Sequence, residues 1–376
     1  MSKTRIFFFF PLASVGGTER VHLDVLNALS NYPMEIFIRY RVNPWKGMAH
    51  RRTKEAKREG DQWLSLFNAF GSVTFLSTFL EAPRFGRLIR AWYIKRLARK
   101  INSATNPVVV FWHRESIEFL WPFLESHVKL VDIVHNNANN SVADSHYLNN
   151  DLAPRINRRV LVNVGLLNWI NPLYSNAGYP AELLERIKVI NHKVNFPLSI
   201  PNKPSTDFNV IYVGRDAKEK RVDLFLEIAS RCADLTAVKF HLVGIKSDLS
   251  VESNITWHGV VLDQAQIESI YSQSHVLVMT SESEGFPKVI AESMAFGCVP
   301  IVTAVGGIPS VLQEGDYAIL TNPDQCVDES IAHIVSLSQH PLDFNERSKK
   351  AYFYAKEHFD SARFDDEWKK LIQSLG

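Results

Sequence analysis

Two short runs in the second half of the chain carry residue types suited to a phosphorylated, hydroxyl-rich ligand. The first is Glu284-Gly285-Phe286-Pro287-Lys288-Val289-Ile290-Ala291-Glu292. It follows a β-branched run and opens a helical one. Gly285 permits a tight turn, and Pro287 suits a first helical turn. The amides of Lys288 and Val289 then point out of a helix start, where anions bind. Glu292 lies further along the same helix. A carboxylate beside an anion site fits a ligand that also carries vicinal hydroxyls, from which it accepts paired bonds. Taken alone, the run reads equally well as an ordinary surface helix with an acidic residue at its start.

The second run is Tyr212-Val213-Gly214-Arg215, with Lys220 five residues after the arginine. A guanidinium grips a diphosphate through two parallel bonds, and an ammonium adds a mobile point charge. Lys218 and Arg221 share the loop, so the bland reading is a set of solvated surface cations. The two runs together are more informative than either apart.

Chemistry of this kind needs loops held at the ends of strands. Strand and helix patterns alternate along most of the chain. Strands are predicted at Ile6–Phe10, Glu35–Tyr40, Val73–Leu76, Val108–Trp112 and Leu130–Val134, then at Val210–Val213, Lys239–Val243, His275–Met279 and Val299–Val302. Helices are predicted at Thr18–Leu29, Arg84–Ile101, Val222–Ala233, Gln264–Ser272 and Val289–Phe296, with an all-helical tail from Glu329 to Leu375. Such alternation implies parallel sheets covered by helices, twice over. Ligands of open parallel sheets sit beyond the carboxyl ends of strands. Both runs above fall there.

The chain has 376 residues, enough for two to three domains. Hydrophobic residues make up 46% and charged residues 22%, which excludes a disordered, collagen-like or polytopic membrane chain. The net charge of +2 hides a division: residues 1–200 hold 26 Lys+Arg against 15 Asp+Glu, so the remainder is acidic. That argues for two domains with different partners and against a nucleic-acid binder. Three prolines between Phe196 and Ser205 place the boundary near residue 200, giving domains at 1–200 and 201–355 and a terminal helix at 356–376 that packs back on the first domain. Cys232, Cys298 and Cys326 make neither a disulfide framework nor a zinc motif and fit a reducing, cytoplasmic compartment. The stretch Met1–Val15 reads as a buried strand and loop rather than a signal peptide. Gln62–Leu80 and Val160–Ala181 carry too many polar residues for a membrane span.

With these motifs in hand, the second half resembles the retaining GT-B glycosyltransferases, specifically glycosyltransferase family 4. The matching residues are Gly214-Arg215 with Lys220, the Glu-x7-Glu element Glu284…Glu292, and Gly306-Gly307-Ile308-Pro309. The first half joins through Gly16-Gly17-Thr18-Glu19 after the first strand and His135 after Leu130–Val134. Two departures stand out: Arg221 replaces a glycine common after the loop lysine, and Asn191-His192 replaces an Asn-Gly pair.

The resemblance implies an α/β fold of GT-B architecture, with two Rossmann-like parallel-sheet domains facing a central cleft. It implies transfer of a sugar, with retention, from a UDP- or GDP-sugar to a hydroxyl of a glycan or lipid-linked acceptor, in bacterial surface polysaccharide or lipopolysaccharide synthesis. By this resemblance Arg215 and Lys220 hold the diphosphate, Glu284 touches the donor sugar, and Glu292 binds ribose hydroxyls. The backbone of Gly285, Phe286, Lys288 and Val289 meets sugar and phosphate. Gly16 and Gly17 approach the donor from the other domain, and His135 lies near the sugar ring, with His113 a weaker rival. No Asp-x-Asp element occurs, so no metal and no cofactor are expected. Closure would bring both domains onto the donor.

His241 and His258 read as structural, although the loop at His258-Gly259 could border the base. On the predicted helix Arg84–Ile101, Phe85, Leu88, Ile89, Trp92, Lys95, Arg96 and Arg99 share one face; with Arg51, Arg52, Lys54, Lys57, Arg58 and Trp63 this suggests peripheral contact with anionic membrane at the inner face of the plasma membrane. An ordinary basic surface helix explains the same residues. Rival readings are a nucleotide-sugar epimerase or phosphorylase of similar fold and a non-catalytic sugar-nucleotide binder. A nicotinamide dehydrogenase fails because no GxGxxG follows the first strand.

Overall fold

The structure, a computed structural model, describes all residues except 1–3, 13–16, 41–63, 77–79, 81–85, 113, 136–150, 246–252, 262 and 314. The chain divides into two units, each with its own parallel sheet.

The first unit holds residues 1–162, 166–191 and 362–376. Its strands are β1 (Arg5–Leu12), β2 (Met34–Tyr40), β3 (Ser72–Phe75), β4 (Pro107–Trp112), β5 (Lys129–Val134), β6 (Arg158–Leu161) and β7 (Ile187–Val189). They lie in the order β3-β2-β1-β4-β5-β6-β7. The run Ile6 to Phe10 is wholly apolar because both faces of this central strand are covered. Phe8 and Phe10 join one core, and Phe7 and Phe9 join the other. Helix α1 (Gly17–Ala28) packs Val21, Val25 and Leu26 into the first core, and α2 (Arg87–Asn102) packs Ile94, Leu97, Ala98 and Ile101 into the second.

Strand β6 opens with two arginines, which hide it from an apolar pattern. Arg159 donates to Asp132 at 2.9 Å, its register partner on β5, and both side chains are buried. Burial pushes the Asp132 carboxyl up, and the guanidinium beside it opposes that rise. Helix α3 (Gly165–Asn176) supplies Tyr174, over whose ring the Arg159 guanidinium lies.

The second unit holds residues 163–165 and 192–361. The division therefore falls at Asn191/His192 rather than at the prolines, which lie within this unit. Strands β8 (Phe208–Val213), β9 (Val238–Val243), β10 (Ile255–Gly259), β11 (Val276–Met279), β12 (Val299–Thr303) and β13 (Ile319–Thr321) lie in the order β10-β9-β8-β11-β12-β13. Alternate residues of β8 again face opposite cores: Val210 and Tyr212 on one side, Ile211 on the other. Among the helices are α4 (Val222–Arg231), α5 (Gln264–Gln273), α6 (Lys288–Ala295), α7 (Ile308–Leu312), α8 (Cys326–Gln339) and α9 (Pro341–Phe359).

The last helix, α10 (Ser361–Gln373), returns to the first unit. Phe364, Trp368, Leu371 and Ile372, spaced as one helical face, enter its core. Among the described residues no helix is long and apolar enough to cross a membrane.

Candidate functional site

Each sheet has one place where the chain order reverses. In the second unit it lies between β8 and β11, and the loops leaving those two strands diverge there. The loop after β8 carries Gly214, Arg215 and Lys220; the loop after β11 carries Glu282, Glu284 and Gly285. The two loops are tied together by backbone bonds. The Glu282 amide donates to the Glu219 carbonyl at 2.8 Å. The Thr280 hydroxyl reaches the carbonyls of Lys220 and Arg221 at 3.2 and 2.8 Å.

On this scaffold Lys220 donates its ammonium to Glu284 Oε1, with side-chain exposures of only 18% and 10%. The lysine and the first glutamate of the sequence motif are thus one ion pair. Arg215 stands differently. It pairs with Glu219 in its own loop, and its side chain is 64% exposed. Of the two cations expected at one diphosphate, Lys220 meets Glu284 and Arg215 is held by a local i,i+4 carboxylate. Arg221, where a glycine was expected, adopts left-handed backbone (φ 48°). Its guanidinium donates to the Pro323 carbonyl at 3.0 Å, which helps hold a conformation otherwise unfavourable for a side chain.

The Glu284 loop leads into α6, capped by Pro287 rather than containing it. Lys288 and Glu292 lie one turn apart, with Nζ to Oε1 at 3.9 Å, and Glu292 is buried. Phe286 offers a ligand its backbone alone. Its side chain is in the core, stacked on Phe359 with ring centroids 5.4 Å apart. That backbone is held by His192, whose Nε2–H donates to the Phe286 carbonyl at 3.2 Å. Burial, reinforced by the Lys288 ammonium, lowers His192 to about 4, so the ring is neutral at pH 7.

The glycine pair 306–307 explains itself here. Gly306 has left-handed backbone (φ 56°), and a Cβ on it would overlap the Glu284 carbonyl oxygen. The Gly307 amide donates to the Gly285 carbonyl at 2.9 Å. The loop after β12 therefore cradles the backbone of the Glu284 loop from below, at a distance no side chain permits.

In the first unit the order reverses between β1 and β4. Gly16 and His113 lie outside the described residues; Gly17 is the first residue of α1. His135, just past β5, is buried among aromatic rings. Its Nε2 lies 3.1 Å from Nε2 of His22, a residue of α1 that sequence reasoning passed over. Trp112, at the end of β4, meets the His135 ring edge-on. Elsewhere, His241 and His258 bond each other at 3.1 Å, and His241 reaches Asn209 at 3.3 Å, a structural arrangement. No cluster of three or more metal-binding side chains occurs among the described residues.

Residues 207–340 match the family model described as glycosyl transferases, group 1. An uncharacterized 41.2 kDa protein in the cps region of Klebsiella pneumoniae is 24% identical over 198 residues, 51% of each chain. The N-acetyl-alpha-D-glucosaminyl L-malate synthase of Bacillus anthracis is 25% identical over 178 residues, 44% of this chain and 45% of that one. The chain thus spans about half the length of the curated relatives it matches. Among solved structures, HepE of Anabaena in complex with UDP superposes with a TM-score of 0.74 at 16% identity, over 98% of this chain and 100% of that one. Residues 207–340 are thus similar to the group 1 glycosyl transferases, and the fold of the chain is GT-B.

Proposed function

We propose that this protein transfers a sugar from a nucleotide diphosphate sugar to a hydroxyl of a glycan or lipid-linked acceptor, keeping the anomeric configuration. The observation that carries this reading is the Lys220–Glu284 pair at the point where the second sheet reverses its order. The pair offers a cation for the diphosphate beside a carboxylate for a sugar hydroxyl. The neighbour of the same fold solved with UDP supports the donor class.

In this reading the difficulty of the reaction is charge on the departing diphosphate. Lys220 and the first amides of α6 stabilise that charge as it grows, without a metal ion. Arg215 leaves Glu219 to join them. Glu284 and Gly285, held by the Gly306 loop, position the sugar, and Glu292 takes the ribose hydroxyls. The acceptor attacks on the face the diphosphate leaves, and a phosphate oxygen takes the acceptor proton. Gly17 and His135 contact the sugar.

The relative from a cps region favours a surface polysaccharide as the product. A membrane-proximal acceptor fits helix α2, where Leu88 is 86% and Trp92 54% exposed. Arg90, Lys95, Arg96 and Arg99 are exposed on the same helix, and Arg96 lies over the Trp92 ring. Aromatic and aliphatic groups among long cations suit an anionic lipid surface. Flotation with anionic vesicles at low salt should carry the protein upward, and Trp92→Ser should weaken this; no binding to such vesicles removes the membrane contact. The donor is tested by thermal shift with UDP-, GDP-, ADP- and CMP-sugars, followed by NMR of the product's anomeric centre. Stabilisation by one nucleotide series and an unchanged anomeric configuration are expected. A free epimer released without acceptor, or an inverted product, contradicts the proposal.

A further inference from the structure

His22 and His135 come from distant parts of the first unit, yet their Nε2 atoms lie 3.1 Å apart. Two ring nitrogens at that distance share one proton: one donates and the other accepts. Which one donates follows from the surroundings of His22. Its ring is fully buried, stacked on Phe10 at 4.1 Å with an interplanar angle of 12° and tilted against Trp112 at 5.2 Å. Its Nδ1 is buried, with no hydrogen-bond partner among the described residues. Burial lowers its pKa to about 3, so the ring carries a single proton at pH 7.

If His135 were the donor, the one proton of His22 would sit on Nδ1 as an orphaned N–H. If His22 is the donor, Nδ1 loses only a partner for a lone pair. Orphaned buried N–H groups are the rarer and more costly of the two. The second arrangement therefore wins.

We propose that His22 is a positioning residue: its Nε2–H donates to Nε2 of His135 and holds His135 as the Nδ1–H tautomer. His135 is then a hydrogen-bond donor and not a base, because its only lone pair on the ring is engaged. This rests on the reading above that His135 faces the donor sugar, and it deepens that reading. A donor at this position can bind a sugar oxygen, while the acceptor proton must leave by another route, as the phosphate route already supposes. Trp112, edge-on to His135 at 5.2 Å, limits rotation of the ring.

The test is a long-range proton–nitrogen correlation spectrum of protein labelled with ¹⁵N-histidine, with His135 assigned by loss of its signals in His135→Gln. The wild-type protein should show His135 with a protonated Nδ1 and a bare Nε2. Removing the donor in His22→Leu should move His135 toward the Nε2–H form, and His22→Gln, whose amide can donate from nearly the same place, should restore Nδ1–H. In turnover, His22→Leu should lower kcat about tenfold or more with donor KM little changed, and His22→Gln should recover most of it. An Nε2–H His135 in the wild type overturns the proposal, and so does a tautomer indifferent to His22→Leu. The underlying reading fails separately: full turnover in His135→Gln would remove His135 from the sugar site while leaving its tautomer as observed.

Discussion

Both units gather polar groups near the place where the sheet reverses its order, but they prepare those groups differently. In the second unit the groups are charged and already matched: Lys220 with Glu284, Arg215 with Glu219. In the first they are two imidazoles, His22 and His135, packed among Phe10 and Trp112. A charged site held by nearby carboxylates can exchange them for phosphate without losing its electrostatic balance. A buried imidazole pair offers direction instead: a hydrogen bond between rings held by aromatic packing. The contrast is one of chemistry: charge in the second unit, oriented hydrogen bonding in the first.

The strongest way to break the contrast is Lys220→Ala. If the second unit supplies the charge, turnover with the preferred donor should fall about 100-fold or more, in the range of losing an oxyanion-type donor. A loss of less than about threefold in steady-state kcat/KM would place the charge elsewhere.

Next comes Gly306→Ala. The added Cβ would overlap the Glu284 carbonyl and force a left-handed residue to carry a side chain. A cost of about 1–3 kcal/mol is expected, read by calorimetry as a lower Tm for the second unit, with turnover falling alongside. An unchanged Tm would show that the loop shifts freely and does not hold Glu284.

Acid should separate the units as well. In the second unit His192, His241 and His275 are each lowered by burial to about 4. The unfolded chain binds protons on these rings near 6.5, and the folded one does not until about 4. Their contribution to stability is therefore present above about 6.5 and is lost as pH falls toward 4. In the first unit His22 behaves likewise down to about 3. Hydrogen exchange at pH 7 and pH 5 should show protection falling in both, more in the second unit, where three rings add. Equal loss in the two units would contradict this.

The smallest expected effect sharpens the view of Arg215. Freed from its carboxylate by Glu219→Gln, it should bind UDP or GDP a few-fold tighter by titration calorimetry, as for release of a surface ion pair. Weaker binding would make Glu219 a ligand contact rather than a competitor.

These contrasts also explain what the sequence could and could not reveal. Long strands such as β1 and β8 were legible because both their faces are apolar. Strand β6 was not, because Arg158 and Arg159 open it, and the buried Arg159 charge is matched by Asp132 on the neighbouring strand. The edge strands β7 and β13 are three residues each, too short for periodicity to act. Within the site, Lys220, Glu284 and Glu292 were legible by type and spacing. The packing of the Phe286 ring on Phe359 was not legible, because a loop aromatic gives no sign of which way it points. His22 and His192 were missed because each acts on a partner about a hundred residues away, and no local pattern reports such a contact. The apolar residues one turn after His22 on α1, Val25 and Leu26, were the available signal: a histidine facing the core must find a polar partner.

The measurement closest to the central claim compares uridine with UDP, or guanosine with GDP, by titration calorimetry in the wild type and in Lys220→Ala. The diphosphate should strengthen binding at least about tenfold in the wild type, as charge-assisted bonds would, and most of that gain should vanish in the variant while nucleoside affinity stays the same. A diphosphate gain that survives loss of Lys220 would contradict the account.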